Sequence, residues 1–191
     1  GALLKLHTGS DNFVRPSMGA WVNYGLGSEN QNLPGFITIC PTLAHGGVSN
    51  WAAAFLPAWT QGTPIGNAAV PSDKALVRYI TPRLAASEQR QQLDLLAAMN
   101  RDHLAQTGPN QALEGRLNSF ELAFRMQMAM PEAQDLSRET AATKQLYGLD
   151  NPKCGHFAKQ CIVARRMVER GVRFIQIYSG GEENEKSWDG H

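Results

Sequence analysis

The stretch "CIVARRMVERGVRFIQIY", residues Cys161 to Tyr178, decides the fold. Its first part has helical spacing, with arginines in the last turns, where cations interact favourably with the helix dipole. Gly171 then leads into an apolar run, which predicts a core strand at residues 172–178. Because a helix, a glycine and a strand in this order are typical of a parallel α/β unit, we predict an α/β fold.

Two further elements are predicted upstream of this stretch. Residues 16–27 have helical spacing and predict a short helix that packs through Trp21. Phe36 to Cys40 form a short, apolar, partly β-branched run that is typical of a second buried strand. Residues 41–83 are rich in Pro, Gly and isolated aromatic residues, and we expect this loop-rich segment to form the wall of a cleft.

Helical patterns dominate residues 87–170. The first predicted helix starts at a Ser87 cap and ends at Gly108, and the second stops at Pro131, so the two are expected to form a helical hairpin. A shorter helix is predicted to end at Gly148, and a last one precedes Gly171. The side chains predicted to face inward from these helices include Phe120, Met128, Phe157, Cys161, Ala164 and Val168.

The composition limits the classes of function. The chain has 191 residues and a formal net charge of +1, with basic and acidic residues interleaved. This pattern gives no electrostatic footprint for nucleic acid or an anionic membrane surface. No apolar stretch approaches the roughly 20 residues of a membrane span, so none is expected. The three cysteines lack metal-binding spacing and are expected to be buried free thiols.

The sharpest candidates for a functional site are Asp189 and His191, in "WDGH" near the end of the sequence. Ligands of open α/β sheets bind beyond the carboxyl ends of the strands, and this segment follows the predicted core strand. A carboxylate and an imidazole on one loop can share a divalent metal ion or contact a bound anion. The residues alone leave open a second interpretation, a solvated loop with incidental polar residues.

Two other histidines are weaker candidates. His7 stands beside Thr8 and near Ser10, and a hydroxyl next to an imidazole is one arrangement of a nucleophile. The alternative is a helix that ends at Gly9 and is followed by a turn. His45 lies on a glycine-rich loop after the first predicted strand, and it is a candidate for lining the same cleft.

The order of motifs along the chain resembles a known family. The segments "RPSMGAWVNYGLGSENQNLPGF", "PTLAHGG", "NWAAAFLPAWTQGTPIG", "SFELAFRMQ", "LYGLD", "ARRMVERGVRFIQIY" and "WDGH" are similar to those of the domain-of-unknown-function 1501 family. Its members are often labelled sulfatase-like and are placed in the alkaline phosphatase superfamily. The resemblance implies an alkaline phosphatase-like sandwich with a central, mostly parallel sheet and the helical hairpin as an insertion. Residues 1–191 are then expected to form a partial single α/β domain.

The resemblance also implies metal-dependent hydrolysis of sulfate or phosphate esters, with a small molecule or a polysaccharide as substrate. Asp189 and His191 are the implied metal ligands, and His191 is the implied catalytic residue. The nucleophile is expected upstream of Gly1 and further ligands beyond His191, so we expect the chain as given to retain zinc, calcium or manganese weakly or not at all. Family members frequently carry a twin-arginine leader, which implies a periplasmic or other extracytoplasmic location.

A second hypothesis comes from a different class of function. A non-catalytic exported protein of the same fold would use residues 41–83 to bind a polysaccharide or a protein partner. Aromatic side chains that stack on sugars would serve this purpose, and Trp51, Trp59 and Trp188 are the candidates if they are exposed; burial of these tryptophans is the alternative. A complete set of Asp, His and Glu ligands would favour the enzyme, and gaps in that set would favour binding.

Overall fold

The computed structural model describes residues 1–69, 77 and 80–179 of the chain. Within these ranges, six α-helices and three β-strands are joined by loops and two short 3₁₀ helices. In chain order the elements are α1 (Ala2–Thr8), α2 (Met18–Leu26), β1 (Phe36–Ile39), a first 3₁₀ helix (Gly47–Trp51), a second 3₁₀ helix (Ala58–Thr60), β2 (Thr63–Ile65), α3 (Ala86–Thr107), α4 (Gln111–Gln134), α5 (Ala141–Tyr147), α6 (Gly155–Val168) and β3 (Phe174–Ile177).

The three strands form one parallel sheet in the order β2-β1-β3. Ile37 of β1 is in register with Thr63 of β2 and with Ile175 of β3. The predicted α/β class and the two predicted strands β1 and β3 are confirmed. Strand β2 was not predicted; it lies inside the loop-rich segment of residues 41–83 and has only three residues.

One face of the sheet carries the main apolar core and is covered by α4 and α6. Because successive side chains of a strand point to opposite faces, the odd-numbered residues of β1 and β3 share this face. Its buried residues are Leu33, Ile37, Ile39, Cys40, Ile65, Met126, Met130, Ala133, Val163, Ala164, Met167 and Val172, with Ile175 and Ile177 packed against them. This face therefore holds the sheet to the helical part of the chain.

The inward faces of α4 and α6 differ from those predicted. Phe120 and Met128 of α4 are exposed, and the helix passes through Pro131 and ends three residues later. On α6, Ala164 is buried as predicted, whereas Phe157 and Val168 are exposed and Cys161 is half-buried. The buried residues of the two helices are Met126, Met130, Ala133, Ala158, Gln160, Ile162, Val163, Ala164 and Met167. The core face of the two helices is therefore formed by methionine, alanine and β-branched aliphatic side chains, whereas the aromatic residues Phe120 and Phe157 are exposed.

The opposite face of the sheet packs against α2. Contact is made through Gly19, where an added β-carbon would lie only 2.5 Å from Phe36 Cζ and 2.7 Å from Phe174 Cδ1. Ser17 caps the helix by accepting a hydrogen bond from Ala20 N. Trp21 is about half exposed, so the predicted packing of α2 through this side chain is wrong.

Helices α3 and α4 form the expected hairpin. They meet through Arg90, which donates to both carboxylate oxygens of Glu121 at 2.8 and 2.5 Å. The first helix ends at Gly108 as predicted, but its N-cap is Ala85 rather than Ser87. No residue of α3 is buried, so this helix lies at the surface of the described part of the chain.

The predictions about membrane-spanning helices and about the cysteines can be compared with the described residues. No helix there is both long and apolar enough to cross a lipid bilayer. All three cysteines are free thiols, but only Cys40 is fully buried, whereas Cys154 and Cys161 are half-buried. Burial raises the pKa of the Cys40 thiol, with a hydrogen bond involving Gln160 acting in the opposite direction.

Candidate functional site

The carboxyl ends of the three strands meet at one edge of the sheet, because all three run in the same direction. Two hydrogen bonds extend the pairing at this edge, from Tyr178 N to Ile39 O at 3.1 Å and from Cys40 N to Ile65 O at 2.9 Å. Cys40 has a φ of 49°, a left-handed conformation that turns the chain out of the sheet after β1. This edge is the expected position for a ligand site in an open parallel sheet.

A histidine from the other end of the chain reaches this edge. His7, in the last turn of α1, lies with its Nε2 3.3 Å from Nε2 of Gln176, although 169 residues separate the two in sequence. The same amide nitrogen of Gln176 donates to the hydroxyl of Tyr178. The rings of His7 and Tyr178 are 5.8 Å apart. His7, Gln176 and Tyr178 thus form a hydrogen-bonded cluster, named here the edge cluster.

The first 3₁₀ helix forms a wall beside the edge cluster. The ring of Trp51 is 6.4 Å from that of Tyr178 in an edge-to-face arrangement, and Trp51 is almost fully buried. The amide nitrogen of Asn50 donates to the carbonyl oxygens of His45 at 3.4 Å and Gly47 at 3.1 Å, which fixes the loop that follows β1. These contacts keep apolar surface against one side of the cluster.

Burial keeps both titratable groups of the edge cluster uncharged at neutral pH. Desolvation lowers the pKa of His7 below its ordinary value of 6.5, which favours the neutral imidazole. Burial raises the pKa of Tyr178 to about 12, although the hydrogen bond from Gln176 opposes this effect. The cluster therefore offers hydrogen bonds rather than charges.

Within the described residues seven buried side-chain polar atoms lack a hydrogen-bond partner, and two of them belong to the paired strands of the sheet. These two are the hydroxyl oxygen of Thr38 and Oε1 of Gln176. Thr38 and Gln176 are direct partners in the β1 and β3 register and have 0% and 8% exposure. Since buried polar atoms are almost always paired, two neighbouring exceptions at the carboxyl half of the sheet need an explanation.

The sequence-predicted site residues have different outcomes. Asp189 and His191 lie outside the described residues, so their assignment stays a prediction. The hydroxyl oxygen of Thr8 lies 2.8 Å from Leu4 O and 2.7 Å from Ser10 O, and its single proton is donated to one of these carbonyls, so the side chain closes the end of α1. The alternative predicted for this segment, a helix that ends at Gly9 and continues as a turn, is confirmed.

The predictions for His45 and for the three tryptophans also have different outcomes. His45 is exposed on the loop between β1 and the first 3₁₀ helix. Trp51 is buried, so of the two alternatives for this side chain the structure shows the buried one. Trp59 is 43% exposed, which is the other alternative, and Trp188 lies outside the described residues.

Trp59 belongs to a group of four exposed aromatic rings on the outer side of α2. Tyr24 stacks on Trp59 at a centroid distance of 6.4 Å, and Trp21 contacts Tyr24 at 6.2 Å and Phe55 at 5.9 Å. Asn23 links the two segments by donating to Trp59 O at 3.2 Å. We name Trp21, Tyr24, Phe55 and Trp59 the aromatic patch; the sequence analysis identified only the last of them as exposed.

A metal site is not complete within the described residues. Residues 1–69, 77 and 80–179 contain no group of three His, Cys, Asp or Glu side chains with the spacing to hold a metal ion. The predicted metal therefore rests on Asp189 and His191 and on ligands not yet identified. Of the described side chains at the edge, tyrosine, glutamine and threonine suit hydrogen bonding, whereas His7 suits either a hydrogen bond or a metal ion.

Comparison with known proteins gives a family but no characterised relative. A family model described as "Protein of unknown function (DUF1501)" matches residues 1–191, which is the whole chain. No curated protein and no solved structure matches the chain. The family match agrees with the resemblance that the order of the motifs indicated.

Proposed function

Since the chain belongs to the DUF1501 family, we propose that it is a metal-dependent hydrolase of sulfate or phosphate esters with its site at the carboxyl edge of the sheet. One observation carries the proposal: buried polar side chains gather at the edge from which β3 continues toward Asp189 and His191. Parallel sheets bind ligands at this edge. The proposal includes an alkaline phosphatase-like sandwich as the finer fold.

Each group in the proposed site has a separate role. Asp189 and His191 would hold a divalent ion, which, when bound, polarises the ester and stabilises the leaving oxygen. The edge cluster supplies neutral hydrogen-bonding groups at the carboxyl ends of the strands, and Trp51 covers one side of the cluster. Neutral donors suit sulfate and phosphate esters because their anionic oxygens accept strong hydrogen bonds.

The test uses the intact protein and measures metal and turnover together. Metal content is determined by elemental analysis, and hydrolysis is followed with an aryl sulfate and an aryl phosphate. We expect His191→Ala to lower both metal content and turnover by at least about 100-fold, and Asp189→Asn to act in the same direction. His103→Ala, at an exposed position of α3, is the matched control and should change neither quantity. Absence of both metal and turnover in the wild type would reject the hydrolase.

A second function is favoured by the aromatic patch. Four exposed rings lie side by side, and neither α2 nor residues 52–62 contain a charged residue. Such a surface suits a neutral polysaccharide, whose apolar sugar faces stack on aromatic rings. This is the binding-protein alternative, with the patch in place of the buried Trp51.

The aromatic patch can be tested by affinity electrophoresis with neutral polysaccharides. Trp59→Ala and Tyr24→Ala should abolish retardation, whereas Phe13→Ala should not, because Phe13 is 67% exposed but lies outside the patch. Retardation that is equal in all variants would reject the patch as the binding surface. Sugar binding without ester turnover would favour the binding protein over the hydrolase.

We also propose an extracytoplasmic location, reached by twin-arginine export. The support is the family membership alone, since composition gives no signal for or against it. Cell fractionation of the native host, with an antibody against the intact protein, tests this proposal. Recovery in the cytoplasmic fraction would reject it.

A further inference from the structure

A cavity lies between the loops that follow β1 and β2, at the carboxyl edge of the sheet. It has a volume of about 160 Å³ and is lined by residues 41–44 and 67–69. The two loops are joined by a hydrogen bond from Ala68 N to Pro41 O at 3.0 Å, just beyond the bond from Cys40 N to Ile65 O. This is the position at which an open parallel sheet is expected to bind a ligand.

The wall of this cavity is uncharged and mainly apolar. Most of its residues are proline, leucine or alanine, and none of them is acidic, basic or aromatic. Such a wall holds no cation that could balance a sulfate or phosphate group. The cavity therefore suits the uncharged alcohol part of an ester better than its anionic part.

Two polar side chains of the wall have hydrogen bonds whose direction is fixed by backbone donors. Ala44 N donates to the hydroxyl oxygen of Thr42 at 3.1 Å, and Ala69 N donates to Oδ1 of Asn67 at 2.9 Å. Because a backbone N–H can only donate, the second contact fixes the orientation of the Asn67 amide.

The donor sides of these two groups are unused within the described residues. Neither the hydroxyl proton of Thr42 nor the Nδ2 protons of Asn67 are donated to another group there, although Thr42 is only 1% exposed. Buried donors are almost always paired, so a ligand with acceptor oxygens is the kind that would complete them. The hydroxyl and ring oxygens of a sugar are such acceptors.

The volume of the cavity limits the size of the ligand. A protein cavity of about 150 Å³ is large enough to hold one benzene molecule. The cavity between the two loops, at about 160 Å³, therefore accommodates one six-membered ring and no second ring beside it.

We infer that this cavity binds the alcohol part of the ester as one uncharged sugar ring, whose oxygens accept hydrogen bonds from Thr42 and Asn67. The inference rests on the proposed function, because it places the alcohol at the edge where the ester would be cleaved. It narrows the substrate from a small molecule or a polysaccharide to an ester of a single or terminal sugar residue. The cavity shares no residue with the aromatic patch.

Alanine methyl groups around the cavity report whether a sugar enters it. Alanine methyls of the intact protein are labelled with carbon-13, and the signals of Ala44, Ala68 and Ala69 are followed by NMR. The protein is titrated with methyl glucopyranoside, an uncharged single ring. Binding in the cavity should shift these three signals, whereas binding on the aromatic patch should leave them unchanged.

Three substitutions separate the two hydrogen bonds to the sugar from a structural role of the loops. Asn67→Asp keeps the acceptor for Ala69 N and removes the Nδ2 donor. Thr42→Val removes the hydroxyl, and Thr42→Ser retains it. Asn151→Asp is the matched control, because Oδ1 of the exposed Asn151 accepts from Lys153 N at 2.9 Å in the same kind of turn, away from the cavity wall. Thermal unfolding is recorded for each variant.

We expect Asn67→Asp and Thr42→Val each to weaken the binding of methyl glucopyranoside about fivefold, because each removes one donor to the sugar. Thr42→Ser and Asn151→Asp should stay within about twofold of wild type. Absence of shifts at the three alanines in the wild type would overturn the inference. Equal affinities in all variants would overturn it as well.

Ester turnover on the same variants distinguishes failure of this inference from failure of the hydrolase. A glucose sulfate and a glucose phosphate are the substrates. Binding of methyl glucopyranoside in the cavity without any turnover would reject the hydrolase and keep the sugar site. Turnover with kcat and KM unchanged in Asn67→Asp and Thr42→Val would reject the sugar site and keep the hydrolase.

Discussion

Helix α2 contains two glycines, and their substitution by alanine is expected to change the stability of the protein in opposite directions, because only Gly19 lies against the sheet. A β-carbon added at Gly19 would lie 2.5 and 2.6 Å from two ring atoms of Phe36 and 2.7 Å from one of Phe174. These separations are well below the roughly 3.5–4.0 Å of ordinary carbon contacts. A β-carbon added at Gly25 would meet nothing within 4 Å. Gly19→Ala should therefore destabilise the protein, and Gly25→Ala should stabilise it.

The two substitutions share the intrinsic preference of the helix for alanine, so their difference isolates the packing cost. Replacing glycine by alanine in a helix stabilises it by about 0.5–1 kcal/mol, toward the lower value near a helix end such as Gly25. Overpacking a core contact costs about 1–3 kcal/mol. The free energy of unfolding of Gly19→Ala should therefore be about 1–3 kcal/mol lower than that of Gly25→Ala. For a chain of this length, 2 kcal/mol corresponds to about 4–8 °C in Tm.

Urea unfolding followed by circular dichroism measures both free energies with one protocol. A double variant, Gly19→Ala with Phe36→Leu, provides a further check, because a smaller side chain at position 36 should recover part of the loss. The double variant should therefore cost less than the sum of its single changes. Equal stability of Gly19→Ala and Gly25→Ala would refute the close contact between α2 and the sheet.

Three further predictions concern the ionic and polar interior. Hydrogen bonds from Arg165, and to a lesser extent from Arg166, lower the pKa of Glu139 below its ordinary value of 4.5. The ionised carboxylate therefore stabilises the fold above pH 4.5, and this contribution is lost as the pH falls through the lowered pKa. Glu139→Gln should lower stability at pH 7 and flatten the acid limb of a urea-unfolding profile; an unchanged limb would contradict this. Burial raises the pKa of Tyr178 to about 12, above its ordinary value of 10, so stability should fall as the pH rises between about 10 and 12. Tyr178→Phe should remove this loss of stability and also the step at highest pH in the tyrosinate absorbance titration. If that step persists in the variant, it belongs to another tyrosine and the assignment to Tyr178 is wrong. Thr38→Val should raise the free energy of unfolding by about 1 kcal/mol in urea, because the buried hydroxyl has no partner among the described residues, and a loss of similar size would show that it has a partner elsewhere.

The sequence was most informative where one local pattern is sufficient. Strands β1 and β3 are mainly apolar, with one polar residue each, and β1 is buried at all four positions, as expected for the central strand of a parallel sheet. Strand β2 has only three residues and contains Pro64, so it shows neither an apolar run nor an alternation. Within the described residues β2 pairs only with β1, and proline is tolerated in such an edge strand.

Pro131 shows how tertiary packing overrides a local signal. A proline inside a helix removes one backbone hydrogen bond, which is the reason for predicting that α4 ends there. The helix nevertheless continues for three residues, and Met130 and Ala133 are both buried against the sheet on either side of the proline. Burial of apolar side chains is a sufficient physical reason for the difference, and a single sequence does not contain that information.

The edge cluster could not be predicted because its members are far apart in sequence. His7 and Gln176 are separated by 169 residues, and neither belongs to a motif that indicates the other. One signal was present: Gln176 is a polar residue inside an otherwise apolar strand, which requires a buried hydrogen-bond partner. That signal predicts the existence of a partner but does not identify it.

The face of the sheet toward α2 is apolar at the amino ends of the strands and polar toward their carboxyl ends. This change in polarity connects stability with the proposed site. At the amino half, Phe36 and Phe174 are register partners that pack edge to face at 5.3 Å beneath α2. The next register pair on the same face is Thr38 and Gln176, and each of these side chains has an unpaired polar atom within the described residues. The apolar pair contributes packing, whereas the polar pair costs stability unless a ligand or water completes its hydrogen bonds. Among the register pairs of the described strands, this is the one in which both side chains carry an unpaired polar atom, and it lies toward the carboxyl ends, where parallel sheets bind ligands. The pair is therefore a better argument for the proposed site than for the packing of the sheet.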